Sequence, residues 1–279
     1  MKEFFEILKV IFLGIVEGIT EWLPVSSTGH MILVDEFLSL NVSREFKEMF
    51  LVVIQLGAIM AVPVLFWNKL VPFSKKKSPE EKKSIWSLWL KVIVGALPAA
   101  VVGVFLDDLL DEYLYNYIVV AIALVVYGIA FILVEKMKKG RDYRVESVYD
   151  LSYTDALKIG SFQMLSLIPG TSRSGSTILG GMLSGVSRSA ASEFSFFVAI
   201  PIMLGASFLK VVKFVLEGFT ATPFELSLLL VGIAVSFLVS LAAIKFLTSF
   251  VKNHSFSVFG VYRIVLGIAV ISYFVVEMI

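Results

Sequence analysis

Long apolar runs set the plan of this chain. A helix that crosses a bilayer needs about 20 mainly apolar residues. Runs of that kind occur at Phe50 to Trp67, Ile85 to Leu106, Leu114 to Val134, Phe194 to Val215, Phe224 to Phe250 and Val258 to Val276, and they predict six spanning helices. Two further apolar stretches, Phe5 to Leu40 and Leu157 to Val186, are each interrupted near the middle by Pro, Gly, Ser and Thr. Neither half of either stretch is long enough to span comfortably. Non-helical backbone at membrane depth is tolerated only where protein or a water-filled cavity surrounds it, so both stretches are predicted to be re-entrant helix pairs. The fold class that follows is an all-α integral membrane protein.

The polar positions orient it. Lys69, Lys75, Lys76, Lys77, Lys82 and Lys83 lie between the first two spans, and Lys136, Lys138, Lys139, Arg141 and Arg144 follow the third. Both loops should be cytoplasmic. The connection between them, with Asp107, Asp108, Asp111 and Glu112 and no basic residue, suits the opposite side. With each re-entrant pair returning to its starting side, both termini fall outside; the first pair enters from outside and the second from the cytoplasm. A constant shift superposes Gly14 on Gly160, Glu17 on Gln163, Ser26 on Ser172 and Gly29 on Gly175, and GIA at Gly128 is echoed by GIA at Gly267. Residues 1–279 are therefore expected to form a single membrane domain of two pseudo-repeats, approximately 1–140 and 150–279. Each unit is a re-entrant helix pair plus three transmembrane helices, and three crossings being odd, the arrangement is an inverted-topology repeat.

Composition agrees and excludes several chemistries. Hydrophobic residues make up 58% of the 279, against roughly 45–50% in an average soluble domain, and mean hydropathy is +0.89. Twenty-four basic residues against 23 acidic ones leave a formal charge of +1, so no bulk field points to nucleic acid. The absence of cysteine removes disulfides, thiolate metal sites and a Cys nucleophile. Lys2 and Lys9 before the run Val10 to Val16 resemble the start of a signal peptide, but Glu17 and Glu21 follow where the apolar core should continue.

Those two carboxylates are four residues apart, on one helix face, within a segment otherwise suited to lipid or protein interior. Repulsion should favour protonating one of them unless a cation or arginine lies between. The alternative is a wet interfacial pair. After Pro24 come Ser26, Ser27, Thr28, Gly29 and His30, where a helix ends and another begins. A helix start offers free N–H groups to an anion, and Ser and His offer a nucleophile and a base. Ordinary N-capping explains the serines equally well. At the second break Gly170, Thr171, Ser172, Arg173, Ser174, Gly175, Ser176 and Thr177 set one guanidinium among small hydroxyl and glycine residues. This pattern suits phosphate, which Arg grips with two N–H groups, better than snorkelling to headgroups. His254, in the short loop before the last span, is assigned no role.

The runs EGITEWLPVSSTGH, beginning at Glu17, and LIPGTSRSGST, beginning at Leu167, resemble the two signature motifs of the undecaprenyl-diphosphate phosphatase, or bacitracin-resistance, family. QLGAI at Gln55 and FSFFVAIP at Phe194 fit as well, and the resemblance spans essentially the whole chain. It implies hydrolysis of undecaprenyl diphosphate to undecaprenyl phosphate and inorganic phosphate, recycling the lipid carrier of bacterial cell-wall synthesis. It also implies dependence on a divalent metal, Mg2+ or Ca2+, and a multi-pass protein of the bacterial cytoplasmic membrane whose site faces outside. On that basis Glu17, Glu21, Ser27, His30 and Arg173 are expected to be catalytic, with Ser27 as nucleophile and His30 as its base or orienting group. Ser26, Thr28, Gly170, Thr171, Ser172, Arg173, Ser174, Gly175 and Thr177 are expected to bind the diphosphate, and Glu17 and Glu21 the metal. Direct attack by water, activated by Glu21 or His30, is the mechanistic alternative. The partners implied are the polyprenyl diphosphate and membrane lipids, with a homodimer left open. The rival class is a secondary transporter or flippase of a lipid phosphate, because inverted repeats with broken helices are also a carrier's device.

Overall fold

The computed structural model describes residues 2–114 and 116–277, apart from the side chains of 107–112 and 275–277. The described chain is helical, its one β-type contact being an isolated bridge between Val145 and Val186. Six helical segments are long and apolar enough to cross a membrane, with mean hydropathy between 1.8 and 2.9. The first is α3 (Arg44–Val53) joined to α4 (Gln55–Leu65); after a short helix, α5 (Trp67–Leu70), follow α6 (Pro79–Leu114) and α7 (Tyr117–Lys138). The other three are α10 (Arg188–Leu216), α11 (Pro223–Asn253) and α12 (Ser257–Glu277). Exposed residues on these helices include Val104, Phe105, Phe208, Leu230 and Val265, the inverse of a water-soluble surface. All six predicted spans are present. The first starts earlier than its apolar run because Ser43 caps α3, accepting a hydrogen bond from Phe46 N–H at 3.2 Å. α6 continues to Leu114; the side chains of Asp107, Asp108, Asp111 and Glu112 lie outside the described residues.

The two interrupted stretches form broken hairpins. The first pairs α1 (Lys2–Thr20) with α2 (Ser27–Leu38), and the second pairs α8 (Tyr153–Gln163) with α9 (Arg173–Leu183). With 19 residues, α1 rises roughly 28 Å, but it is not among the six segments long and apolar enough to cross. It belongs to a hairpin that returns to its starting end. Lys9 Nζ donates to Ser39 O at 2.8 Å, and Asn41 N–H donates to Glu6 Oε2 at 3.0 Å. The second hairpin closes likewise, Arg144 N–H donating to Gly185 O at 2.9 Å.

The two basic loops share one end of the molecule: Tyr149 Oη donates to Lys69 O at 3.1 Å and Lys91 Nζ to Tyr149 O at 2.8 Å. The mouth of the α8–α9 hairpin lies at that end, and the mouth of the α1–α2 hairpin at the other. Each hairpin leans on a span from the other half of the chain. α1 lies on α11, where a Cβ added to Gly18 would come within 2.8 Å of Ser236 O, and α8 lies on α6, where one added to Gly160 would come within 2.3 Å of Gly95 O. α7 and α12 pack on each other, a Cβ on Gly128 meeting Gly260 O and one on Gly260 meeting Gly128 O, each at 2.6 Å. Only glycine lets backbones approach so closely, the usual means by which helices associate where lipid is the solvent.

Candidate active site

Each hairpin breaks where its sequence withholds helix. In the first, α1 ends at Thr20 and turns through Trp22, Leu23 and Pro24, whose missing N–H stops the ladder. In the second, Pro169 and Gly170 make the turn, Gly170 at φ +87° and so close to Val120 O that a Cβ would come within 2.5 Å. Both second helices then start from a serine in the left-handed region, Ser26 at φ 74° and Ser172 at φ 76°, the non-glycine residues with positive φ among those described. Each side chain caps its helix: Ser26 Oγ accepts from Gly29 N–H at 3.2 Å, and Ser172 Oγ from Gly175 N–H at 3.1 Å. Such a backbone costs on the order of 1–3 kcal/mol per residue and is retained where a site depends on it.

The two breaks meet, with Glu21 at the junction. Its Oε1 accepts from Arg173 Nη2 at 3.0 Å and Nε at 3.3 Å, and its Oε2 accepts from Ser27 Oγ at 2.7 Å. Arg173 also donates from Nη1 to Ser195 O at 2.8 Å, and its guanidinium lies 5.7 Å from the Trp22 ring. Ser174 Oγ reaches across to Glu21 O at 3.1 Å, stitching the second break to the first. Thr177 Oγ1 donates to Arg173 O at 3.0 Å and pairs with Ser195 Oγ at 2.6 Å. Ser172 and Ser174 hydroxyls are 3.2 Å apart, Thr171 is buried, and Thr28 is half-buried on the first turn of α2. The sequence-selected residues thus gather from positions more than a hundred apart in the chain.

His30 departs from expectation. Its Nδ1 is 2.7 Å from Ser26 O, which can only accept, so Nδ1 carries the hydrogen. In the neutral ring Nε2 then accepts from Tyr262 Oη, also at 2.7 Å, with the two rings stacked. The Ser27–His30 pairing anticipated from sequence is absent, because the imidazole is turned back onto the N-cap carbonyl and outward to α12. Ser27 is paired with Glu21 instead.

Glu17 is fully buried one turn before Glu21, and its Oε1 has no hydrogen-bond partner; nor does Thr171 Oγ1. A buried polar atom without a partner is costly and points to a ligand or ion. Hard divalent cations take oxygen ligands, and Mg2+ is commonly held by one or two carboxylates with phosphate oxygens completing its shell. Glu17 and Glu21 supply two carboxylates, and no group of three or more His, Cys, Asp or Glu converges among the described residues. The donor set therefore fits a cation shared with a phosphorylated ligand.

Sequence reasoning overlooked Arg263, Tyr262 and Ser195. Arg263 is fully buried in α12 and donates to Pro24 O at 3.1 Å, Gly170 O at 2.7 Å and Thr171 O at 2.9 Å, so it touches both breaks. The signal was present: an arginine in the interior of an apolar span seldom lacks a role.

A polytopic helical membrane protein in which two broken hairpins from opposite ends bring a carboxylate, a hydroxyl and a phosphate-type arginine nest together is the class that fold and site define. Residues 10–269 match the family described as bacitracin resistance protein BacA, and the chain belongs to that family. It is 59% identical to an undecaprenyl-diphosphatase of Enterococcus faecalis over 96% of this chain and 97% of the other. It is 58% identical to one of Acetivibrio thermocellus over 96% and 98%, and 54% identical to undecaprenyl-diphosphatase 1 of Clostridium acetobutylicum over 98% and 99%.

Proposed function

We propose that this protein is an undecaprenyl-diphosphate phosphatase, hydrolysing undecaprenyl diphosphate to undecaprenyl phosphate and inorganic phosphate and so supporting cell-wall synthesis and bacitracin resistance. The observation that carries the mechanism is the Glu21 carboxylate shared between Arg173 and the Ser27 hydroxyl. Substrate phosphate oxygens take the place of Glu21 Oε1 on the Arg173 fork, while the α9 N-terminus and its hydroxyls cradle the same group. Ser27 Oγ then attacks the terminal phosphorus as its bond to the bridging oxygen breaks. The hydroxyl hydrogen passes to Glu21 Oε2, and undecaprenyl phosphate leaves with the bridging oxygen. Water attacks the phosphoserine, inorganic phosphate departs, and a hydrogen returns to Ser27. Mg2+ or Ca2+, held by Glu17 and Glu21, would offset negative charge on the phosphoryl oxygens. His30 and Tyr262 keep the first break in shape.

The protein is placed in the bacterial cytoplasmic membrane with the basic loops inside. The α1–α2 hairpin then opens outward, giving the site access to the outer face. We further infer that 1–140 and 150–279 are inverted copies. Support comes from the matching conformations of Ser26 and Ser172 and from contacts that exchange between units: Gly128 against Gly260 becomes Gly267 against Ala121. Carriers use the same plan, but a carrier needs no hydroxyl bonded to a carboxylate beside a phosphate-type arginine.

The test is phosphate release by the purified protein from undecaprenyl diphosphate, with Mg2+ or Ca2+ and then with chelator. Release that the chelator abolishes is expected. No release with either metal would overturn the assignment.

A further inference from the structure

Arg263 stands outside both motifs and makes no contact with Glu21, Ser27 or Arg173 among its hydrogen bonds. Among the described residues no carboxylate lies within ion-pair distance of it, although it is fully buried. Three backbone carbonyls accept from its Nη1 and Nη2 instead, while the buried Nε has no partner. Pro24 O belongs to the turn that carries Glu21 and Ser27; Gly170 O and Thr171 O belong to the turn that carries Ser172 and Arg173. Helix interruption strips those carbonyls of their intrahelical donors, and in a membrane interior they must find others. The guanidinium is well shaped for this, because its N–H groups are fixed in one plane and can reach acceptors on two strands of chain at once. It lies 5.6 Å from the Tyr127 ring, which backs it from α7.

We propose that Arg263 is a positioning residue that sets the spacing between the two halves of the site: Ser27 and Glu21 on one break, Arg173 and its hydroxyl nest on the other. This rests on the phosphatase reading above. In that reading phosphate capture rests mainly on Arg173 and the second break, whereas attack by Ser27 needs the first break held against it. Loosening the tie therefore spares binding and damages chemistry, and a misplacement of about 1 Å can cost about 100-fold in rate.

Arg263→Lys retains the charge but not the planar fork, so its loss reports geometry. In protein that elutes as a single folded species, kcat on undecaprenyl diphosphate should fall about 100-fold while KM stays within about threefold of the parent. A merely structural role would lower yield or thermal stability and leave kcat per folded molecule intact. A second readout does not depend on activity. The chain has no native cysteine, so nitroxide labels at cysteines replacing the exposed Phe37 on α2 and Leu183 on α9 can report the spacing of the hairpins. Their distance distribution should shift or broaden in Arg263→Lys. Parental kcat, or a raised KM with kcat unchanged, or an unaltered distance distribution would overturn the proposal. If the parent itself releases no phosphate, the phosphatase reading fails and the distance measurement alone decides. Should Arg263→Lys not fold, Tyr127→Leu and Tyr127→Phe take its place. Leu removes the ring behind the guanidinium and Phe keeps it, so a lower kcat and broader distances in the Leu variant support the tie, and equality of the two variants overturns it.

Discussion

Ser27 and Glu21 lie on opposite sides of one helix break and are joined by a 2.7 Å hydrogen bond from Ser27 Oγ to Glu21 Oε2. In the proposed mechanism that bond aligns nucleophile and base before any substrate arrives, with Glu21 rather than His30 taking the proton. Ser27→Ala and Glu21→Gln should each lower kcat by roughly 100-fold to 10,000-fold, the range of a lost acid–base or nucleophilic partner. His30→Asn should cost less than either. Rapid acid quench of the parent should trap phosphate on Ser27. Substantial turnover by Ser27→Ala would return the reaction to direct attack by water.

Arg173 divides its donors between Glu21 and Ser195 O, one face of the fork toward the first break and one toward α10. A lysine keeps the charge but cannot span both. Arg173→Lys should lose about 1.5–3 kcal/mol of transition-state stabilisation, the worth of a charge-assisted hydrogen bond, seen as a fall in kcat/KM of about 10-fold to 100-fold. Lys76→Ala, in an exposed loop, should change nothing. Near-parental kcat/KM in the lysine variant would mean that Arg173 does not grip the phosphate.

How much of this could be read without coordinates follows from which forces are local. The six spans and two breaks were legible because a bilayer leaves few options for apolar runs and interrupted backbone. Glu17, Glu21 and Arg173 stood out because charge at membrane depth is rare. The partner of Ser27 was not legible. His30 lies one turn along α2 and looked like its natural base, but a carbonyl at Ser26 and a phenol at Tyr262 compete for the ring, and the latter comes from the far end of the chain. Arg263 carries a sequence signal as a charge inside an apolar span, but its role was not legible, since its three acceptors are backbone atoms that carry no sequence signature.

Ser26 and Ser172 combine a left-handed backbone with a helix cap. Alanine should be the worse replacement at either position. It loses the cap, for about 1 kcal/mol, and retains the unfavourable φ, whereas glycine relieves the backbone and costs only a few tenths of a kcal/mol as a cap. Thermal unfolding in detergent should therefore rank parent, glycine variant, alanine variant at both sites. An alanine variant as stable as the parent would show that the cap contributes nothing.

Orientation can be checked with single cysteines in this cysteine-free chain. Positions 76 and 139 are exposed in the basic loops, and Glu217 is exposed at the opposite end, after α10. In intact cells an impermeant thiol reagent should label a cysteine at 217 and spare those at 76 and 139. The reverse pattern would turn the molecule over and close the proposed access to the outer face.

Glu17 presents the sharpest test of the metal. Its carboxylate is fully buried, one oxygen lacks a partner, and the neighbouring Glu21 is already engaged by Arg173 and Ser27. If a divalent cation joins the two carboxylates, Glu17 contributes mainly to holding it, whereas Glu21 contributes to both the cation and the proton. Glu17→Gln should then raise the Mg2+ or Ca2+ concentration needed for half-maximal activity while saturating metal restores much of kcat. Glu21→Gln should raise that concentration too, but kcat should stay low at any metal concentration. Because the residues act on one cation, the double variant should lose less than the sum of the two losses in log rate. The measurement is activity against metal concentration for the parent, both single variants and the double variant. Unchanged metal dependence in Glu17→Gln, with losses that add strictly, would show that the glutamates do not share a cation and would leave Glu17 a structural or proton-transfer residue.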